Sequence, residues 1–242
     1  MLRNHNSELL DALVEADEAG SWQMVRSRFE SLSLQSNEPE KLLASIQEEL
    51  RHGHLPAGRV PYVHVNGFVK FVIAELPMTH ARLTLHYWTG RIDDKVIEES
   101  RPHNHRFCFS SLLLLGKQGI NEYDVKTCDS NATSIECEYR PHFGGRFAWI
   151  HRRRLVHLDT RRRVSRHPMV GIYHTDERTV HTTETTGRKP CATLVMRGPR
   201  VRNSANVYYQ RITHKGPLAV QIGSRVGLSD MSSHIGTILK TI

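Results

Sequence analysis

The segment "RPHNHRFCFSSLLLLG", residues 101–116, decides how this sequence is interpreted. His103 and His105 are separated by one residue, so on an extended chain both imidazoles project to the same side, about 7 Å apart at Cα. Phe107, Phe109 and Leu113 fall on that side as well. Two imidazoles at this spacing can bind one metal ion, which predicts a metal-binding edge over an apolar floor. The chain has 16 histidines, so a chance pair on a basic strand end is the alternative.

Composition is that of an ordinary soluble globular protein. The 242 residues are 38% hydrophobic and 24% charged, and no apolar run reaches the roughly 18 residues that a transmembrane helix needs. The first twenty residues, "MLRNHNSELLDALVEADEAG", include acidic side chains and lack the apolar core of a secretory signal. We therefore expect a cytoplasmic protein with no membrane partner.

The chain divides into three parts by its hydrophobic pattern. Residues 1–55 repeat apolar positions at three- and four-residue steps, which predicts three short helices forming an N-terminal arm. Residues 60–216 contain many short β-prone runs at roughly ten-residue spacing, with a hairpin signal at Asn66-Gly67. Residues 217–242 are weakly patterned and are expected to form a strand or two plus an extension. The fold class is therefore mainly β, an antiparallel sandwich or barrel preceded by helices.

The spacing of His103, His105 and Gly116 resembles the first motif of the cupin superfamily. That resemblance implies a double-stranded β-helix, a jelly-roll-like barrel, over residues 60–216. The cupin motif places a glutamate ligand between the histidine pair and the glycine, and this chain has Phe109 there. The departure implies a site of three histidines without a carboxylate. A ligand contributed by one of the nearby glutamates would contradict it, namely Glu98, Glu99 or Glu122.

The third histidine is suggested by a second segment. "VHTTETTGRKPCATLVMRGP", from Val180, resembles the third-histidine segment of the cysteine dioxygenase (thiol dioxygenase) family, which implies His181 as the third ligand. His174 is the alternative, because a two-residue turn at Glu177-Arg178 would set it directly opposite His181.

The likeness to thiol dioxygenases also includes "LTLHYWTG", residues 83–90, and extends weakly over residues 62–200. The family's carboxylate-binding arginine falls near His64 of this chain, and its outer histidine and tyrosine fall at Val195 and Arg197. Cysteine is therefore not the expected substrate.

Three neutral imidazoles leave the +2 charge of a divalent ion uncompensated, which favours a small anionic, chelating substrate. The resemblance implies iron(II) with O₂ as co-substrate and without 2-oxoglutarate, hence a mononuclear non-heme dioxygenase. Zinc, nickel and manganese are the alternative metals. With zinc, a bound water of lowered pKa would support lyase or isomerase chemistry instead.

Position in the sequence suggests further site residues. Arg101 and Arg106 flank the histidine pair and Arg178 precedes the third histidine, so each is a candidate clamp for a substrate carboxylate. Tyr173 is a candidate proton donor. Solvated arginines and a core tyrosine are the alternatives. One face of the strand before the motif lines either the pocket or the helical arm, and it holds Arg82, His86 and Trp88.

The arginine-rich stretch 146–166 gives a hypothesis of another class. It holds eight arginines against one acid, Asp159, and such a surface attracts nucleic acid or another polyanion. A non-catalytic cupin, such as a small-molecule sensor, is a third hypothesis. We also expect a homodimer formed by edge strands, as is common among cupins.

Overall fold

The computed structural model describes residues 7–35, 37–64, 66–90, 101–128, 132–142, 147–185, 189–210 and 224–242. Four helices lie in these ranges, three before the first strand and one near the C-terminus. They are α1 (Glu8–Glu18), α2 (Trp22–Leu32), α3 (Glu38–Arg51) and α4 (Leu228–Leu239). None of the described helices has both the length and the apolar composition needed to cross a bilayer.

Eleven described strands form two antiparallel sheets. The first sheet has the order β1-β2-β3-β10-β4-β8, and the second has the order β11-β6-β7-β5-β9. The strands are β1 (Tyr62–Val63), β2 (Val69–Glu75), β3 (Arg82–Trp88), β4 (Phe109–Leu115), β5 (Gln118–Thr127), β6 (Ser134–His142), β7 (Phe147–Arg166), β8 (Ile172–Thr175), β9 (Val180–Thr185), β10 (Cys191–Arg197) and β11 (Ala205–Gln210). The hairpin predicted at Asn66-Gly67 joins β1 to β2, with Gly67 at a φ of +76°.

From β7 onward the chain alternates between the sheets, which is the jelly-roll pattern of a double-stranded β-helix. Strands β4, β8 and β10 lie in the first sheet, while β5, β9 and β11 lie in the second. The histidine segment 102–104 hydrogen-bonds to both edge strands of the second sheet, through His181 of β9 and through Asn206 and Tyr208 of β11. It therefore closes that sheet into a ring. The predicted fold class, mainly β with N-terminal helices, is confirmed.

The main apolar core lies on the outer face of the first sheet, not between the sheets. Alternate residues of β3, Leu83, Leu85 and Tyr87, belong to one buried cluster with helix residues such as Phe29 and Ile235. Burying each such side chain stabilises the fold by about 1.5–3 kcal/mol. The helices are therefore a layer of the domain, not a projecting arm.

The space between the sheets holds buried polar groups. The buried guanidinium of Arg166 donates to the backbone carbonyl of Ser111 and to the side chains of Ser111 and Gln118. Burial lowers the pKa of Arg166 to about 10. Because the helices supply the apolar contacts, this inner space is free to hold ionisable groups.

Two sequence expectations are wrong. The C-terminal extension forms helix α4 and not strands, because Met231, Ile235 and Ile238 share one buried helical face. Strands β8 and β9 do not form a hairpin, since β8 pairs with β4 and β9 pairs with β5. The carboxylate of Asp176 accepts hydrogen bonds from the backbone N–H groups of residues 178 and 179, which shapes a loop that crosses between the sheets.

Candidate metal centre

His103 and His105 stand on the segment that closes the second sheet. Their ring centroids are 4.8 Å apart. The Nδ1 atom of His103 lies 2.7 Å from the carbonyl oxygen of Arg101. A carbonyl oxygen only accepts hydrogen bonds, so Nδ1 holds the proton and Nε2 keeps its lone pair. A ring oriented in this way is prepared to bind a metal through Nε2.

His181 reaches the same point from β9. It pairs with His103 through two backbone hydrogen bonds, and its side chain is 2% exposed. Its Nδ1 atom lies 3.4 Å from the carbonyl oxygen of Thr179, and its Nε2 atom lies 3.4 Å from Nε2 of His105. The ligand nitrogens of the three histidines all lie within 4.8 Å of one another. The structure thus brings together the three histidines that the sequence suggested as ligands.

This donor set fits a divalent ion. Metal–nitrogen distances of about 2.1 Å place two ligand nitrogens roughly 3 Å apart, close to the separation of the His105 and His181 nitrogens. Burial, reinforced by the neighbouring His103, lowers the pKa of His181 to about 3, and burial lowers the pKa values of His103 and His105 as well. All three rings are therefore neutral at physiological pH, the form in which imidazole binds metals.

Phe109, the residue at the cupin glutamate position, packs against this cluster. Its ring centroid is 5.0 Å from that of His105 and 5.9 Å from that of His181. Phe107 stacks on the ring of His105 at 5.3 Å. These aromatic rings make one side of the centre apolar and keep water from it.

Glu122 lies opposite His181 on β5 but is not part of the ligand cluster. Its carboxylate accepts hydrogen bonds from the Tyr173 hydroxyl at 3.1 Å and from Arg161 at 2.9 Å. Among the residues with described positions, the ligand group contains no carboxylate. Glu98 and Glu99 lie outside the described residues.

Tyr173, the predicted proton donor, lies beside the cluster, with its ring centroid 6.4 Å from that of His181. Its hydroxyl donates to Glu122, and burial raises its pKa. Tyr173 is therefore a neutral hydrogen-bond donor held in a fixed position.

His174, the alternative third ligand, lies on the other side of the first sheet. Its Nδ1 atom is 3.1 Å from the hydroxyl of Ser110, which in turn donates to Glu30 of helix α2. The reason is that β8 belongs to the first sheet, where Tyr173 faces inward and its neighbour His174 faces the helices.

The three predicted arginine clamps have separate surroundings. The guanidinium of Arg101 stacks on the ring of Tyr209 at 4.4 Å. Arg178 is 86% exposed and lies near Glu177 on the loop between β8 and β9. Arg106 is partly buried, and both burial and the nearby Arg200 lower its pKa. Arg106 therefore lies near other cations, Arg200 and Arg197.

Sequence reasoning missed a group of ionisable residues on the inner face of β2 and its turn. His64 stacks on Phe68 at 4.5 Å, and Phe68 stacks on His86 at 4.4 Å. Lys70 pairs with His86 across β2 and β3. Arg82, His86 and Trp88 alternate with the residues that pack on the helices, so their strand face lines the inner space. In the sequence, a lysine between the apolar residues Val69 and Phe71 indicates that one face of β2 carries a charged group.

Arginines of the 146–166 stretch lie on β7, where several face carboxylates of neighbouring strands. Arg153 pairs with Glu138, and Arg154 pairs with Glu136. Arg161 pairs with Glu122. These ion pairs compensate part of the positive charge that the sequence displays. Arg146 lies outside the described residues.

Comparisons with known proteins give weak structural likenesses. No family model and no curated protein matches the sequence. A structure described as "Crystal structures of DMSP lyases RdDddP and RnDddQII" is similar at 13% identity and a TM-score of 0.31, over 64% of this chain and 53% of that one. Procruciferin, an 11S globulin from Brassica napus, is similar at 8% identity and a TM-score of 0.32, over 71% of this chain and 35% of that one. This chain thus spans about half and about a third of the two proteins.

Proposed function

We propose that this protein is a cupin-type, mononuclear non-heme iron(II) dioxygenase that acts on a small anionic substrate without 2-oxoglutarate. The observation that supports this most directly is the cluster of His103, His105 and His181, whose nitrogens lie within 4.8 Å of one another. The cluster is neutral and lacks a carboxylate among the described residues, unlike the two-histidine, one-carboxylate set of many iron oxygenases.

Iron(II) bound to three imidazoles would supply up to three open coordination positions, enough for a bidentate substrate and O₂. The residues of the chain have the remaining roles. Hydrogen bonds from Nδ1 to backbone carbonyls fix the His103 and His181 rings. Phe107 and Phe109 exclude water from one side. The Tyr173 hydroxyl donates its one proton to Glu122, so its oxygen would be available to accept a hydrogen bond from the substrate.

Charge supports an anionic substrate. Three neutral ligands leave the ion with its full charge of +2, and in a partly buried site that charge favours a bound anion. Thiolates, carboxylates and enolates satisfy this requirement and can also chelate. Small thiols, amino acids and enolizable acids are therefore the substrate classes to test.

Metal binding is the first test. Wild-type protein, stripped with a chelator and reloaded anaerobically with Fe²⁺, should retain one ion per chain. A variant with His103→Ala and His105→Ala should lose it. His174→Ala is the matched control, because His174 lies on the far side of the first sheet, and it should keep its metal. Full metal content in the double variant would refute the site.

Oxygen consumption is the second test. Iron-loaded protein is offered small thiols, amino acids and enolizable acids in an oxygen electrode, and one class should cause uptake that the double histidine variant lacks. Retained metal with no uptake for any class would refute the dioxygenase assignment. It would favour instead the non-oxidative alternative, a lyase or isomerase that uses the same ligands.

A further inference from the structure

A group of cations occupies the inner face of the first sheet beside the histidine cluster. Arg82 of β3 pairs with Arg197 of β10, and Arg197 pairs with Phe109 of β4. Lys70 of β2 pairs with His86, which shares the inner face of β3 with Arg82. Cross-strand partners project to the same side of a sheet, so Lys70 and Arg197 both face the space between the sheets.

Arg197 is linked to the histidine cluster by a stack of rings. Its guanidinium lies 4.9 Å from the centroid of Phe107, and Phe107 lies 5.3 Å from His105. Arg197 is 6% exposed, and its Nη2 atom donates to the carbonyl oxygen of His80. Its Nε atom is buried without a hydrogen-bond partner in the described structure. An unpaired buried donor of this kind is costly, and a bound acceptor would remove that cost.

The cations outnumber the acids around them. Glu75 is the carboxylate in contact with this group among the described residues, and it already pairs with Arg59 and Arg82. Lys70 and Arg197 make no ion pair with a carboxylate within the described ranges. Burial and neighbouring arginines lower the pKa of Lys70 to about 8 and that of Arg197 to about 9.

Lys70 lies opposite His86 on the inner face of the first sheet. The charges of Arg197 and Arg82 lower the pKa of Lys70, and the charge of Lys70 in turn lowers the pKa values of His86 and His105. A divalent ion at the histidines would add two more positive charges to a region that the chain leaves uncompensated.

We propose that Lys70 and Arg197 form an anion-binding subsite for the non-reacting end of a dianionic substrate, whose other anionic group binds the metal. This inference rests on the proposed metal site and narrows the substrate to a molecule with two separated anionic groups. A dicarboxylate and a phosphorylated carboxylate share that chemistry.

The subsite is tested first without metal. Chelator-treated protein is titrated with inorganic phosphate by calorimetry, and Lys70→Met should bind it at least tenfold more weakly than wild type. Methionine keeps the length of the side chain and removes its charge, so folding should be retained. Lys126→Met, at an exposed lysine, is the matched control and should bind as wild type does. No phosphate binding by the wild type, or equal binding by Lys70→Met, would overturn the subsite even if the metal site is correct.

The metal-loaded protein tests whether one substrate can bind the metal and the Lys70–Arg197 subsite at the same time. Co²⁺-loaded wild type is titrated with malonate, succinate, glutarate and phosphoglycolate, with propionate for comparison, while the visible spectrum of Co²⁺ is recorded. At least one dianion should bind tenfold more tightly than propionate, and Lys70→Met should abolish that preference without changing propionate binding. The ligand that binds most tightly shows whether the substrate is a dicarboxylate or a phosphorylated carboxylate. Equal affinity for all five would overturn the proposal, whereas failure of Co²⁺ to bind would refute the metal site and leave the phosphate result standing.

Discussion

The pH dependence of folding in the metal-free protein follows from the partly buried imidazole of His64. Burial, with smaller contributions from Lys70 and His103, lowers its pKa from 6.5 to about 3. Below pH 6.5 the unfolded chain binds a proton at His64 that the folded chain excludes, so stability falls as the pH falls from 6.5 toward 3. Above pH 6.5 neither state is protonated and this effect vanishes.

The magnitude at pH 5 is about 2 kcal/mol, because roughly 1.5 pH units separate pH 5 from the unfolded pKa at about 1.36 kcal/mol per unit. Burial also lowers the pKa of His86 well below 6.5, so the loss in the wild type exceeds this figure. For each variant, the free energy of unfolding in urea is measured at pH 8 and at pH 5 with a chelator present. The difference between these two values is then compared among the variants. His64→Gln should reduce that difference by about 2 kcal/mol. His167→Gln, at an exposed histidine, is the control. An unchanged difference in His64→Gln would refute the argument that burial keeps this ring neutral.

Three further substitutions test the helical layer and the carboxylate position. Asp17→Ala removes the hydrogen bonds to the N–H groups of Met78 and Thr79 and to the Thr79 hydroxyl, and urea unfolding should show a loss of about 2–3 kcal/mol. Ile235→Ala, at a fully buried position of α4, should cost about 2–5 kcal/mol, and a loss below about 0.5 kcal/mol would contradict the packing of that helix. Phe109→Glu adds a carboxylate beside two of the ligands and should raise the affinity for Zn²⁺ in calorimetry, whereas Phe109→Gln, its uncharged control, should not.

Local patterns predicted much of this fold. The two-residue spacing of His103 and His105 places both rings on one side whatever the partner strands are, and regular turn signals indicate a β-rich class. Local sequence does not decide whether His174 or His181 is the third histidine of the cluster. The choice depends on which sheet each strand joins, and the loop held by Asp176 sends β8 and β9 to different sheets. A turn signal indicates where a chain bends, and it does not indicate which strand it will meet.

The grouping of cations beside the site is likewise not predictable from local sequence. Lys70 and Arg197 are far apart in the sequence, and they share the inner face of the first sheet because β2 and β10 both pair with β3. Helix α4 was missed for a related reason. Its glycine and serines weaken the helical pattern, while the partners that bury Met231 and Ile235 lie in the N-terminal helices.

The position of the apolar core explains how one small domain can hold so many ionisable groups inside. In a simple sandwich the inner faces of the two sheets form the core, and placing Lys70, Arg166 and His64 there would leave too few apolar contacts. Here the outer face of the first sheet packs on the helices, with Tyr87 stacked on His234 of α4 at 4.6 Å. The largest apolar cluster therefore lies on one face of the first sheet, and the opposite face is available for a metal, its ligands and an anionic substrate. The helices at both ends of the chain are, on this argument, a condition for the site and not an addition to it.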